Sequence, residues 1–281
     1  MNTALYSAAV VPSWDLDAWR RLARAGLSAR VAPEAVFWSG EAQACLLANA
    51  DLAGAPSLQP PPTIPAGFFE LAGRVVCHTD PLRHALMYRI AWRLTHGGER
   101  QLLLQPTDPD IDAAERLAGA VARDTHKMKA FVRFRALPGP DEAFIAWFEP
   151  QYCILDRIAP FFVRRFHAMR WAILTPYRRA VWDSVELRFG AGAQRGEAPS
   201  QDDHDDLWRL YYTSIFNPAR LNERAMQQEM PKRYWKNLPE ARLLSQLSRD
   251  SGARVEKMLR SAAKAEAAPR QRGHKDPAGG A

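Results

Sequence analysis

Apolar side chains along the first part of the chain recur at the spacing of amphipathic helices. Between residues 15 and 27 they return every three or four positions, which predicts a helix, and a short apolar strand follows at 35–38. The same helical spacing covers residues 68–94, with a break near Asp80, and residues 109–129. The pattern therefore predicts a helix–strand unit followed by helices.

The middle of the chain changes to the two-residue alternation that is typical of strands. Residues 131–137 and 142–148 alternate on either side of a Pro–Gly turn, which predicts a hairpin. A helix over 154–169 and strands over 171–174 and 185–189 complete a ββαββ order. We expect an α+β fold in which an antiparallel sheet with this ββαββ core is flanked by helices, after a small N-terminal helix–strand unit.

Composition suggests where the chain divides. Prolines crowd residues 53–66 too densely for a helix or an interior strand, which indicates a linker. This linker would separate the N-terminal unit, 1–52, from a main α+β domain, 67–260. The polar end, 261–281, has few aromatic residues and is expected to be disordered.

Charge and cysteine usage narrow the class of protein. The formal net charge is +7 with a pI near 9.5, which favours a polyanionic partner. No apolar run approaches a membrane span, and no secretory signal precedes the first apolar patch, so we expect a cytoplasmic protein without membrane contact. The cysteines, Cys45, Cys77 and Cys153, lie far apart, which argues against a disulfide framework, a zinc site or an iron–sulfur cluster. No nucleotide- or metal-binding motif appears, so no cofactor or metal is expected.

Basic residues alternate with aromatic residues in two stretches. The composition of residues 130–176 fits a surface that binds phosphates and stacks bases. It fits an ordinary sheet packed on a helix equally well, and both interpretations stay open. Residues 215–240 again mix basic and aromatic residues. They would form either an arm that binds a nucleic-acid strand or an arm anchored to the core. The candidate nucleic-acid contacts are Lys127, Arg133, Arg135, Arg164, Arg165, Arg170, Arg220, Lys232, Arg233, Tyr234, Trp235 and Lys236.

Two further residues are candidate catalytic groups. His126 lies near the end of the predicted helix, and its imidazole would serve as a general acid or base if it faces a cleft. Glu149 ends a predicted strand before Pro150, where a carboxylate would act as the second member of the pair. The alternatives are that His126 bonds a carbonyl at the helix end, and that Glu149 pairs with Arg133 or Arg135.

Several motifs resemble a bacterial family of unknown function that is labelled a DNA metabolism protein. The motifs are RDTHKMKAFVRFR, AWFEP, APFFVRRF, MRWAILTP, DLWRLYYTSIFNPARLN and AMQQEMPKRYWKNLPEA. The resemblance implies DNA repair or modification beside a radical SAM protein, or fusion to a uracil-DNA glycosylase-like domain. Its motif positions include the candidate residues above together with Asn217 and Asn237. The chain has no cysteine triad for a radical SAM cluster, so that chemistry would belong to the partner protein.

Three functions follow as hypotheses. The first is a DNA-binding accessory to a radical SAM or uracil-DNA-processing enzyme, which uses the surface of Arg133, Arg135, Arg164 and Arg170. The second is an enzyme that acts on a nucleic-acid component with His126 and Glu149 as acid and base. The third is a protein-interaction module that docks a partner on the arm from Phe216 to Trp235.

Overall fold

The computed structural model describes residues 4–40, 48–137, 143–197, 230–235 and 238. The chain divides into two compact units, Met1–Pro199 and Ser200–Ala281. The predicted turn between the hairpin strands and the predicted disordered tail lie outside the described residues.

The first unit begins with a parallel sheet. Strands β1 (Tyr6–Ala9), β2 (Val36–Ser39) and β3 (Ala50–Asp51) pair in the order β2-β1-β3, with both neighbours parallel to β1. Helix α1 (Leu16–Ser28) connects β1 to β2, as a parallel pair requires. Asp15 begins this helix, since its carboxylate accepts hydrogen bonds from the second and third helical N–H groups.

Helices α2 (Ala66–Val75) and α3 (Arg83–Thr95) pack on this layer from beyond the Pro-rich segment. The ring centroids of Trp19 and Phe68 lie 5.9 Å apart. The buried hydroxyl of Tyr88 donates a hydrogen bond of 2.8 Å to the carbonyl oxygen of Val31. The first unit therefore includes both sides of the Pro-rich segment.

A long helix, α4 (Pro109–Phe131), follows and is fixed to α3 by charge. Asp108 caps its N-terminus and also accepts a 2.7 Å ion pair from Arg93. The same guanidinium reaches Glu99 at 2.7 Å and Asp110 at 3.0 Å. Short 3-10 turns lie at Pro33–Ala35, Leu52–Gly54, Leu102–Leu104 and Arg195–Glu197.

The second sheet has five strands in the order β4-β5-β6-β7-β8. These are β4 (Arg135–Ala136), β5 (Ala143–Trp147), β6 (Arg170–Leu174), β7 (Arg178–Trp182) and β8 (Leu187–Ala191). Neighbouring strands are antiparallel except β5 and β6, which are parallel. The α+β class is confirmed, but the expected antiparallel ββαββ sheet is not: one sheet is mixed and the other is parallel.

Each departure of the observed sheet from the predicted one has a local cause. Helix α5 (Leu155–Arg165) carries the chain back across the sheet between β5 and β6, and such a crossover makes the two strands parallel. The predicted strand over 131–137 is largely absent, because α4 continues to Phe131 and pairing begins only at Arg135. Strand β7 was not predicted from the sequence, and its two neighbouring strands complete its hydrogen bonds.

Helix α5 covers one face of the mixed sheet. Phe162 of α5 and Trp171 of β6 meet edge to face at 6.3 Å, and Phe134 packs against both. The opposite face carries a buried apolar cluster of Trp147, Leu174 and Ala193.

In the second unit, the described residues form a short helix, α6 (Lys232–Trp235). Of the helices that the structure describes, none is both long enough and apolar enough to span a membrane.

Candidate functional site

The C-terminal ends of α4 and α5 meet on the first unit. The Nζ atom of Lys129 on α4 lies 4.6 Å from the ring centroid of Phe161 on α5. Just beyond the end of α4, Phe134 packs edge to face on Phe166 at 5.3 Å. These contacts bring side chains that are about thirty positions apart onto one surface.

The basic patch on this surface consists of His126, Lys129, Phe161, Arg164 and Arg165. Residues three and four positions apart lie side by side on a helix, so both arginines adjoin Phe161, and His126 adjoins Lys129. Phe161 is half-buried, whereas the four basic residues are exposed. The patch therefore combines cations with the partly accessible ring that stacking requires.

The cations of the basic patch are not neutralised by described acids. No carboxylate of a described residue lies within ion-pair distance of Lys129, Arg164 or Arg165. Arg165 instead lies over the ring of Phe166, 5.9 Å from its centroid. An anion would thus meet uncompensated positive charge here, and cation–π contacts of this kind hold the side chains in place.

Arg133 and Lys127 have different surroundings. Arg133 donates hydrogen bonds to the carbonyl oxygens of Ala130 at 2.7 Å and Val132 at 3.3 Å. Its guanidinium therefore closes the end of α4, as cations at helix C-termini commonly do. Lys127 is half-buried on α4, one turn after the exposed Arg123.

Arg135 and Arg170 lie on the sheet face opposite α5. Arg135 pairs with Ile145 and Arg170 with Ala143, so the alternation of the strands directs both side chains to the face of Trp147. Arg135 is only 8% exposed. Burial lowers the pKa of the Arg195 guanidinium; the charge of Arg135 lowers it further, and that of Glu149 opposes the shift. Arg135 and Arg170 thus lie on the opposite face of the sheet from α5, which carries Arg164 and Arg165.

His126 and Glu149 are not brought together. The Nε1–H group of Trp147 donates a 2.8 Å hydrogen bond to Glu149. The carboxylate of Asp124 binds the backbone N–H groups of Gln151 and Tyr152, so this side of α4 faces the segment after Glu149. His126 lies two positions later, about 200° around the helix axis, and points away from that segment.

In the second unit, the described part of the predicted arm is internally bonded. Tyr234 is 1% exposed, and its hydroxyl accepts a 2.8 Å hydrogen bond from Arg233. The indole N–H of Trp235 donates to the carbonyl of Met230 at 2.9 Å, and Lys232 is exposed. Four predicted positions lie outside the described residues: Arg220 and Lys236, and the motif positions Asn217 and Asn237.

Sequence reasoning missed two members of the basic patch. Lys129 was not among the candidate contacts, although it follows His126 by three positions and so shares its helix face. Phe161 stood out only as one of many aromatic residues. The signal for Phe161 was its spacing, because it precedes Arg164 and Arg165 by three and four positions.

Comparison with known families shows which family the chain resembles. The domain of unknown function DUF4130 matches residues 81–240, more than half of the chain. The chain belongs to the DUF4130 family. The matched range includes α3, α4, α5 and the mixed sheet, and so the whole basic patch. No curated protein and no solved structure matches the chain.

Proposed function

We propose that this DUF4130 chain binds nucleic acid through the basic patch. The observation that carries the proposal is the contact of Lys129 with Phe161, which places two helix ends with uncompensated cations around one half-buried ring. Positive side chains attract phosphates, and an aromatic ring adds stacking that tolerates any base. The net charge of +7 adds long-range attraction to a polyanion.

The resemblance to DNA metabolism proteins supports a role in DNA repair or modification. In this proposal the chain is an accessory that delivers DNA to a partner enzyme of the radical SAM or uracil-DNA-processing type. The geometry gives no support to acid–base catalysis by His126 and Glu149, because their side chains lie apart.

A salt titration with a fluorescent oligonucleotide tests the proposal. Single-stranded and duplex DNA are each titrated by anisotropy at several salt concentrations. The test variant carries Lys129→Gln, Arg164→Gln and Arg165→Gln. For a single strand, each lost phosphate contact lowers the slope of log affinity against log salt by about 0.7, so the slope should fall by about 2.

The control removes the same charge elsewhere. Arg21, Arg24 and Arg100 are exposed and have no ion pair with a described residue, so replacing all three by Gln keeps the net charge equal to that of the test variant. The control should bind with the slope of the unmodified protein. Equal losses in the two variants, or no DNA binding even at low salt, would refute the proposal.

A further inference from the structure

A second feature lies at the other end of α5. A cleft of about 390 Å³ opens beside the N-terminus of this helix. It is lined by α1, by the end of α2 and by α5, all within the first unit. Its lining includes Trp14, Gly73, Cys77, Cys153, Asp156 and Arg157. The volume lies in the range of small-molecule sites.

The floor of the cleft is neutral. The backbone N–H of Cys153 donates a 2.9 Å hydrogen bond to the carbonyl of Cys77, which brings the two cysteines side by side. Burial raises the pKa of the Cys77 thiol to about 12 and that of Cys153 to about 11. Both thiols therefore stay protonated near pH 7 and form a soft, weakly polar surface, which suits a flat ring.

One wall is an indole held in place by a hydrogen bond and a ring contact. Trp14 donates from Nε1 to the carboxylate of Asp156 at 3.3 Å and meets the ring of Tyr177 edge to face at 5.0 Å. Asp156 also accepts a 2.9 Å ion pair from Arg178. Asp156 and Arg178 thus neutralise each other, and the indole is fixed at the wall. Asp15 also lines the cleft, where its carboxylate accepts hydrogen bonds from the N-terminus of α1.

Arg157 is the remaining cation of the cleft. Its guanidinium has no hydrogen bond or ion pair with any described residue. It lies beside Gly73, where an added Cβ would come within 3.4 Å of its Nη1 atom. The bare glycine leaves room next to the charge, and an anionic group in the cleft would meet this guanidinium.

Arg157 also connects the cleft to the basic patch. Arg157, Phe161 and Arg164 follow at intervals of four and three residues, so they form one stripe along the exposed side of α5. The stripe from Arg157 to Arg164 is about 10 Å long, or roughly three steps along a DNA strand. A strand bound at the basic patch would therefore extend toward the cleft.

We infer that the cleft is a nucleotide pocket, in which the base lies against Trp14 and the thiol floor and the phosphate binds Arg157. The inference rests on the proposed function for its link to a strand, since the pocket would take one nucleotide of the DNA held by the basic patch. Pairing of a guanidinium with phosphate and stacking of a base on indole are the two interactions that the cleft offers.

The pocket is tested with deoxynucleoside monophosphates, which are too short to need the patch. Each of the four is titrated by calorimetry, with thymidine and inorganic phosphate as partial ligands. The monophosphates should bind more tightly than either partial ligand. Arg157→Gln should weaken binding by about tenfold or more, because it removes charge-assisted hydrogen bonds. Arg100→Gln, a matched exposed arginine, should change nothing.

A second variant keeps the arginine and fills the space. Gly73→Leu should abolish monophosphate binding, with circular dichroism confirming that the variant is folded.

The triple variant of the basic patch should bind monophosphates normally while losing oligonucleotide affinity, so the pocket and the patch have separate readouts. Strand binding without monophosphate binding overturns the nucleotide pocket and leaves the proposed function standing. Monophosphate binding that Arg157→Gln does not weaken also overturns the pocket.

Discussion

Lys129 and Phe161 join the ends of two helices, with the ammonium nitrogen 4.6 Å from the ring centroid. The contact explains how a long helix and a crossover helix contribute side chains to one surface. The ammonium is also attracted to the ring, because a cation within about 6 Å of an aromatic centroid interacts favourably with the ring quadrupole.

Replacing the ring should separate stacking from charge. Phe161→Leu is expected to weaken oligonucleotide binding by about 1–3 kcal/mol, the contribution of one stacked base, while the salt slope stays unchanged. Anisotropy at several salt concentrations measures both quantities. Phe69→Leu is the control, because it removes a similar cation–π contact: the guanidinium carbon of Arg20 lies 4.6 Å from the Phe69 ring centroid. Both residues are far from the basic patch in sequence. A changed salt slope in Phe161→Leu would show that the ring acts only by positioning cations.

Asp124 should stabilise the fold. Its buried carboxylate accepts hydrogen bonds from the backbone N–H groups of Gln151, at 2.7 Å, and Tyr152, at 3.0 Å. Asp124→Ala removes the acceptor from both donors, and we expect a loss of about 1–3 kcal/mol in the free energy of unfolding. Urea denaturation measures it. Asp112→Ala, which breaks an exposed pair with Arg116, should cost less than about 0.5 kcal/mol.

His84 should make the fold sensitive to acid. The side chain is 1% exposed and its Nε2–H donates to the carbonyl of Ser13 at 2.8 Å. Burial and then the charge of Arg83 lower the pKa of His84 from 6.5 to about 4. Between these values the unfolded chain binds the proton more strongly, so stability is full above pH 6.5 and falls as the pH drops toward 4.

The expected loss over that range is about 3 kcal/mol. Urea denaturation at a series of pH values from about 4.5 to about 7.5 should show this loss of unfolding free energy in the unmodified protein. His84→Gln, which keeps a donor for Ser13, should reduce the slope. An unaltered slope in His84→Gln would contradict the assignment.

Two helical glycines should respond in opposite directions to alanine. Gly73→Ala adds a Cβ at ordinary contact distance, 3.4 Å from Arg157 and 3.6 Å from Leu16, so the gain in helix propensity should stabilise the protein by about 0.5–1 kcal/mol. At Gly26 the added Cβ would lie 2.5 Å from the hydroxyl oxygen of Tyr88. Gly26→Ala should therefore cost about 1–3 kcal/mol. Thermal unfolding of both variants measures the two signs.

The sequence by itself determined the helices and the charge. Apolar spacing located α1, α2, α3 and α4 near their observed ranges, because helix periodicity is a property of neighbouring residues. Asp108 and Pro109 fixed the start of α4 for the same reason, since capping depends on groups within three positions. The density of arginines and aromatic residues was likewise visible without any structure.

Tertiary structure alone decided the strand directions and the grouping of cations. The parallel pairing of β5 with β6 depends on the path of α5 across the sheet, which local alternation does not encode. Lys129 reaches Phe161 only because the fold brings α4 and α5 together, while strand register directs Arg135 and Arg170 to a different face. Sequence patterns describe neighbours within a few residues, whereas a binding surface depends on contacts between distant segments.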